Sequence, residues 1–594
     1  MTSYSAPMRE MQFTINELAE MEHIAKLPGF EDATPDLIEA VLEEAGKLAS
    51  GVLAPINTIG DQQGSRLVDG KVQVPDGFAE AYQQFAEGGW MGISQNPDYG
   101  GQGLPHLVQT AVSEMWNAAN ISFGLNPLLT TGAIEALSAH ADDQLKETYL
   151  PHMISGEWSG TMDLTEPQAG SDLSAVRTKA VPHGDHYLIS GQKIFITWGD
   201  HELNENVIHL VLARLPDAPE GVKGISLFLV PKFLVQADGS KGERNDVHAV
   251  SLEHKLGVHA SPTCVMSFGD KGGAVGYLVG SENQGLSHMF TMMNHARLGV
   301  GMQGVAIADR AYQQALEYAR DRVQGSAPGV EGRVPIIHHA DVRRMLMLMR
   351  TMTEAMRALA YVTAASLDLA HHSEDAAEAT HHSARLDLLV PVAKGWCTEI
   401  AQEVATLGVQ VHGGMGFIEE TGAAQHFRDA RIITIYEGTT GIQAADLVGR
   451  KILRDQGAAM HALLEEMETF ITGMAADDTE LGPVQQRVSE GIQALAKASE
   501  WLLRNGKSDP HVAGAVASNL LMLMGTVLGG YQLARAAVIA QQKLAAAEGD
   551  ADFYRAKVVS AVFYAEHVLP RSKTYLDIVL AGATSTVAVP IEQL

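Results

Sequence analysis

The residue pattern with the most chemistry in it is a carboxylate set directly before a glycine, at the end of a β-branched and aromatic run. The stretch is Ile433 to Gln443, I-T-I-Y-E-G-T-T-G-I-Q, and the carboxylate is Glu437. Such a run favours extended backbone, and the following Gly438 lets the chain bend sharply or lets a ligand approach the main chain. A free glutamate has a pKa of about 4.3, and burial beside a substrate would raise it towards the range of a general base. The plain alternative is a solvated loop carboxylate.

Other stretches carry weaker signals, each with a structural alternative. Thr165 to Asp172, T-E-P-Q-A-G-S-D, combines Pro and Gly turn chemistry with residues that cap backbone amides. It is either a tight turn or a nest of N–H groups suited to an anion or a flavin edge. Phe195 and Thr197 follow Lys193 in a strand-like run, where alternation puts an aromatic plane and a hydroxyl on one face. Gln410 to Phe417, Q-V-H-G-G-M-G-F, reads as a glycine C-cap and turn after a helix. Gly299 to Gly304 matches G-x-G-x-x-G but lacks the preceding strand and βαβ unit of a dinucleotide site, so close helix packing is the better explanation. The histidine pairs 338–339, 371–372 and 381–382 lack i, i+4 spacing and cysteine partners, and no metal site is expected.

These stretches need a large scaffold. At 594 residues the chain exceeds what one core serves, and several domains are expected. Helical periodicity runs to about residue 160 and short β-branched runs fill Thr161 to Val279. Long amphipathic helices follow from Leu286 to Arg454, and a further helical block begins after Gly457. Strands followed by helices predict an α+β fold: an N-terminal extension (1–40), a helical domain (41–160), a central antiparallel β-domain (161–285), a helical bundle (286–454) and a C-terminal helical bundle of its own (455–594). The 42 Lys and Arg against 71 Asp and Glu, a net charge of −29, argue against nucleic acid and anionic membranes. The uncharged run His511–Ala534 approaches membrane-span length. Its glycines, polar residues and continuation into Arg535 favour a buried bundle helix over a membrane span. Two cysteines, Cys264 and Cys397, with no export signature at the N-terminus, lead us to expect a cytoplasmic protein.

Taken in order, T-E-P-Q-A-G-S-D, K-I-F-I-T, Y-A-R-D-R-V-Q-G, Q-V-H-G-G-M-G-F and I-Y-E-G-T-T-G-I-Q resemble the acyl-CoA dehydrogenase family over Gly88 to Arg450. The C-terminal block looks like that of the family's longer branch. The resemblance implies FAD as cofactor, an acyl-CoA substrate, an electron-transfer flavoprotein as partner, and Glu437 as the base that removes the Cα proton. It implies Leu164 and Thr165 at the flavin ring edge, Ser171 at a phosphate, Phe195 over the isoalloxazine and the Thr197 hydroxyl at N5. Arg322, Gln324, Gln410, Gly413 and Gly414 match positions reaching a neighbouring subunit's FAD, and Thr439 matches a phosphate contact. Ser171, Arg297 and Gly438 are the implied substrate contacts, Arg297 near the CoA arm. The chain departs from the family's commonest pattern at Phe195 and Trp198, where Trp and Asn are usual. A homodimer is expected, with the C-terminal block covering a surface that shorter relatives use for tetramers. Acyl length is not legible: a methylthio-propionyl thioester and a fatty acyl chain both fit. An oxygen-using acyl-CoA oxidase and a silent acyl-CoA-binding protein are the alternatives.

Overall fold

Strands and helices segregate along the chain. The computed structural model describes residues 4–236, 238–474, 479–507 and 509–594. Two units emerge, one built of Ala40–Gly299 and the other of Pro7–Glu39 with Val300–Leu594.

In the first unit, helices His106–Ala119, Ile121–His140 and Asp143–Ile154 precede the sheet. Asn120 and Asp142 start the second and third by accepting from the amides of Phe123 and Leu145, which satisfies donors that a helix end leaves open. Eight strands form the sheet, whose path runs Val247–Leu252, Thr263–Phe268, His186–Thr197, Ala274–Leu278, Ile225–Pro231, Asn206–Arg214 and Trp158–Asp163, with Lys179–His183 beside His186–Thr197. The pairing is antiparallel except where Trp158–Asp163 and Lys179 lie parallel to Asn206–Arg214. Strand His186–Thr197 is long and continuous, packed over a core that includes Ile189, Val211, Phe228, Met266 and Phe268.

One buried ion pair ties this sheet to the turn it carries. Lys193 Nζ donates to Glu166 Oε1 at 2.9 Å and to the carbonyl of Leu164 at 3.0 Å. Glu166 also accepts from the Arg177 amide (2.8 Å), the Thr178 amide (3.0 Å) and the Thr178 hydroxyl (2.6 Å). Burial acts to raise the Glu166 carboxyl, but the Lys193 charge and these donors outweigh it and hold the group at about 2. Burial draws the Lys193 ammonium below its ordinary value, against the opposing pull of Glu166.

The second unit contains the long helices Ala340–His372 and Ala376–His412 and most of Gly285–Asp321. A Cβ at Gly301 would meet the Ala393 carbonyl oxygen at 2.9 Å, and one at Gly304 that of Cys397 at 2.8 Å. The G-x-G-x-x-G run is a close helix crossing. The helices of the C-terminal block share a compact unit with Val300 onward. Pro510–Ala545 is a bundle helix, and Gly525 lets it approach so closely that a Cβ would stand 2.1 Å from Trp396 Cγ. The N-terminal segment joins the same unit: Phe13 packs edge-on against Phe553 at 5.7 Å, and Arg535 donates to the Leu18 carbonyl at 3.2 Å.

Glu166→Gln leaves the Lys193 ammonium buried without its counter-charge, a change of the kind that costs about 3–5 kcal/mol. We expect a lower melting temperature for Ala40–Gly299 in calorimetry of the whole chain, and an unchanged melt would contradict the pair's role. Because the folded value lies below the ordinary 4.5, this stabilisation is present above the ordinary carboxylate range and fades as the pH falls towards 2.

Candidate active site

The β-domain contributes a turn and an aromatic platform. Ile194 donates its amide to the Thr165 carbonyl at 2.9 Å, so the 165–172 turn is hydrogen-bonded to the strand holding Phe195. Leu164 is buried, Ser171 is exposed, and the neighbouring Asp172 caps the Ser174 amide at 2.9 Å. Opposite this strand the register slips between Cys264 and Met266, a bulge that sets Ile194 and Phe195 against Val265. At the bulge Phe195 adopts φ +60°. Bulges re-aim side chains, and Phe195 is 59% exposed while Ile196 and Trp198 are 2% and 1%. Thr197 is half-buried, and its carbonyl accepts from Thr161 Oγ1 at 2.8 Å. An uncovered aromatic plane beside a hydrogen-bonded turn fits a planar ring system such as the flavin of FAD.

The helical unit contributes the carboxylate. The extended backbone expected at Ile433–Gln443 is corrected: helix Ala423–Ile433 runs into the stretch, turns occupy 434–439, and helix Thr440–Asp446 starts at once. The β-branched residues there end a helix because Ile433 is wholly buried, and burial outweighs their preference for strand. Glu437 (φ +54°) and Gly438 (φ +87°) are consecutive left-handed residues. Thr439 caps the next helix through the Ile442 amide at 3.3 Å, and Tyr436 Oη donates to Gln303 Oε1. Burial pushes the Tyr436 phenol well above its ordinary value, with Glu437 adding to the effect, so it stays a neutral donor.

The remaining predicted residues are placed as follows. Arg297 is buried, its Nη1 3.4 Å from Asn294 Oδ1 and its guanidinium 5.9 Å over the Phe290 ring. Arg322 and Gln324 are exposed in the loop after the Gly285–Asp321 helix, and Gln324 accepts from His339 Nε2 at 2.8 Å. Gln410, Gly413 and Gly414 are exposed, and a Cβ on either glycine would meet nothing within 4 Å. Leu164, Thr165, Ser171, Phe195, Thr197 and Arg297 thus belong to one unit, and Arg322, Gln324, Gln410, Gly413, Gly414, Glu437, Gly438 and Thr439 to the other.

Sequence reasoning missed the residues that hold these loops. Glu166, Lys193 and Gln443 were only letters inside motifs, and Lys394, which like Gln443 donates to the turn after Tyr436, carried no signal at all. A buried lysine in an apolar helix face such as V-P-V-A-K-G-W is the cue that could have found Lys394. Among the described residues a trio unrelated to the histidine pairs, His106, Glu135 and His295, has ligand atoms within 4.8 Å of one another. Gln95 occupies the Glu135 carboxylate at 3.2 Å, and burial pushes His295 down to about 4, a polar seam between helices.

Four domain families match in chain order: the acyl-CoA dehydrogenase N-terminal domain over residues 39–157, the middle domain over 161–271, the C-terminal domain over 283–453, and the acetyl-CoA dehydrogenase C-terminal-like domain over 463–590. The chain is 51% identical to a 3-methylmercaptopropionyl-CoA dehydrogenase of Ruegeria pomeroyi across 96% of both proteins. It is 35% identical, again over 96% of both, to a broad-specificity linear acyl-CoA dehydrogenase of Mycobacterium tuberculosis. In fold it is similar to Caenorhabditis elegans ACDH-11, solved in complex with C11-CoA, with a TM-score of 0.76 and 20% identity over 97% of this chain and 95% of that one. Four domains in order and full-length identity to curated members leave one conclusion: the chain belongs to the acyl-CoA dehydrogenase family of FAD-dependent oxidoreductases.

Proposed function

We propose that this dehydrogenase oxidises a short thioether-bearing acyl-CoA of the 3-methylmercaptopropionyl class to its trans-2-enoyl thioester. In this reading it works in the cytoplasm as a homodimer that hands electrons to an electron-transfer flavoprotein. The observation that carries the substrate class is the 51% identity over nearly the whole of both chains.

In the reaction the Glu437 carboxylate takes a proton from Cα. The electron pair left behind forms the Cα–Cβ double bond as hydride departs from Cβ. FAD, when bound, accepts that hydride. The Cα–H is too weakly acidic for a carboxylate unless the thioester carbonyl is polarised, and the main-chain N–H of Glu437 is the donor this reading assigns. A donor of that kind is worth about 10²–10³ in rate. Phe195 supplies the ring face and Thr197 the hydroxyl beside it, while the 165–172 turn holds the ring edge. Arg297 offers a cation to the CoA arm in a chain of net charge −29.

The dimer is supported by an uncovered apolar edge next to Gly413 and Gly414. Phe417 is 86% exposed, with Met415 and Ile418 also exposed. Patches of this kind mark interaction surfaces. The C-terminal helices pack against Ala376–His412, where Trp396 meets Gly525, and that cover is what we expect to limit assembly to two subunits. Two buried free thiols, Cys264 and Cys397, suit a reducing compartment.

Glu437→Gln should retain the FAD absorbance spectrum and lose roughly 10²–10⁴-fold in turnover of 3-methylmercaptopropionyl-CoA with electron-transfer flavoprotein. Undiminished turnover would remove Glu437 as the base, and peroxide formed at the same rate in air without a carrier would favour an oxidase. Phe417→Asp should halve the particle mass in light scattering and release FAD; a variant that stays dimeric would rule out this edge as the interface.

A further inference from the structure

Two buried donors close on the carbonyls of the turn that carries Glu437. Lys394, within helix Ala376–His412, has no exposed surface, and its Nζ donates to the Gly438 carbonyl at 2.7 Å. Gln443, equally buried, directs Nε2 to the Glu437 carbonyl at 3.0 Å and to that of Gly438 at 3.2 Å. A Cβ on Gly438 would stand 2.8 Å from this same nitrogen, so the glycine is what admits the amide.

The conformation they hold is a costly one. Left-handed backbone is unfavourable at a residue other than glycine, and such geometry persists where its surroundings over-determine it. Here the surroundings include a desolvated ammonium. Burying an ammonium is costly, and this one is placed with its head on a carbonyl of the turn itself. The charge has a use where it lies, one residue along the chain from a carboxylate that must stay ionised and correctly aimed.

We propose that Lys394, assisted by Gln443, is a positioning residue for dehydrogenation. It fixes the peptide planes on either side of Gly438, and through them the direction of the Glu437 carboxylate and of its main-chain N–H. The proposal rests on the reading of Glu437 as the base. It adds that the base is aimed by a lysine distant in sequence, which makes no contact with substrate in this account.

The test uses the FAD-loaded full chain and 3-methylmercaptopropionyl-CoA. Lys394→Met keeps the length of the side chain and removes donor and charge, and Gln443→Leu removes the second donor while leaving the lysine. A misplacement of the base of about an ångström is expected to lower kcat about 10²-fold. KM should stay within about twofold, since the lost interaction acts in the transition state. Exchange of solvent deuterium into Cα, followed by NMR without an electron acceptor, should slow in step. In the double variant Lys394→Met/Glu437→Gln the two losses should not multiply, because the lysine works through the glutamate.

The proposal is overturned by unchanged kcat in both variants, by a rise in KM alone, or by losses that multiply in the double variant. If Lys394→Met does not fold, Gln443→Leu decides by the same measures. Failure of both to hold FAD also overturns it, since the role would then be structural. An unmodified enzyme that turns over no acyl-CoA would instead refute the functional reading itself, so the two failures are distinguishable.

Discussion

Left-handed backbone at residues other than glycine is the constraint that the candidate stretches of the two units share. Among the described residues nine such positions occur, and Phe195, Trp198 and Glu437 are three of them. Each costs on the order of 1–3 kcal/mol, and a fold retains it only where the surroundings compensate. At Phe195 the strain accompanies the bulge that turns the ring outward. At Glu437 it accompanies the break between two helices that sets the carboxylate at a turn. In both places regular secondary structure would have carried the side chain somewhere less useful.

Compensation comes from buried lysines. Lys193 donates to the Leu164 carbonyl, Lys232 to that of His201 at 2.6 Å, and Lys394 to that of Gly438. Lys193 lies on a strand, Lys394 on a helix and Lys232 at the bend after strand Ile225–Pro231, and each reaches a carbonyl outside regular structure. Glu166 stands beside Lys193 and Asp200 beside Lys232. A lysine suits this task because its long stem packs among apolar side chains while its head supplies several donors. The two Glu166 carboxylate oxygens serve two main-chain amides, a hydroxyl, an ammonium and the Gln168 side-chain amide, and a shorter or neutral side chain would strand some of them.

Much of this was legible in the sequence. The change of texture near residue 160 placed the sheet, and G-x-G-x-x-G was read as helix packing because no strand precedes it. Local pattern could not show where partners sit far along the chain. Lys394 and Gly438 are 44 residues apart, and nothing in periodicity links them. The extended run expected before Glu437 failed for a related reason: β-branched Ile433 is buried at a helix end, and tertiary burial decides such short segments. The N-terminal segment read as an extension because its partners, Phe553 and Arg535, lie more than 500 residues away.

The exchange of residues at positions 195 and 198 follows from the same constraint. The family's commonest arrangement puts Trp on the platform and Asn three residues later, whereas here the indole has moved inward. Trp198 is buried, donates Nε1 to the Ser122 carbonyl at 3.2 Å, and meets His201 edge-on at 5.3 Å. Burial pushes that histidine down to about 3, with Lys232 adding to the shift, so it stays neutral at physiological pH. The core beneath the strand is therefore filled by the indole, and the outward position needs only a flat ring. Phenylalanine meets that need through its face alone, since stacking depends on the ring and not on an N–H. On the proposed reading of this strand as the flavin platform, the ring would receive no hydrogen bond from the side chain at 195, and its electronic tuning would fall to the Thr197 hydroxyl and the amides of the 165–172 turn.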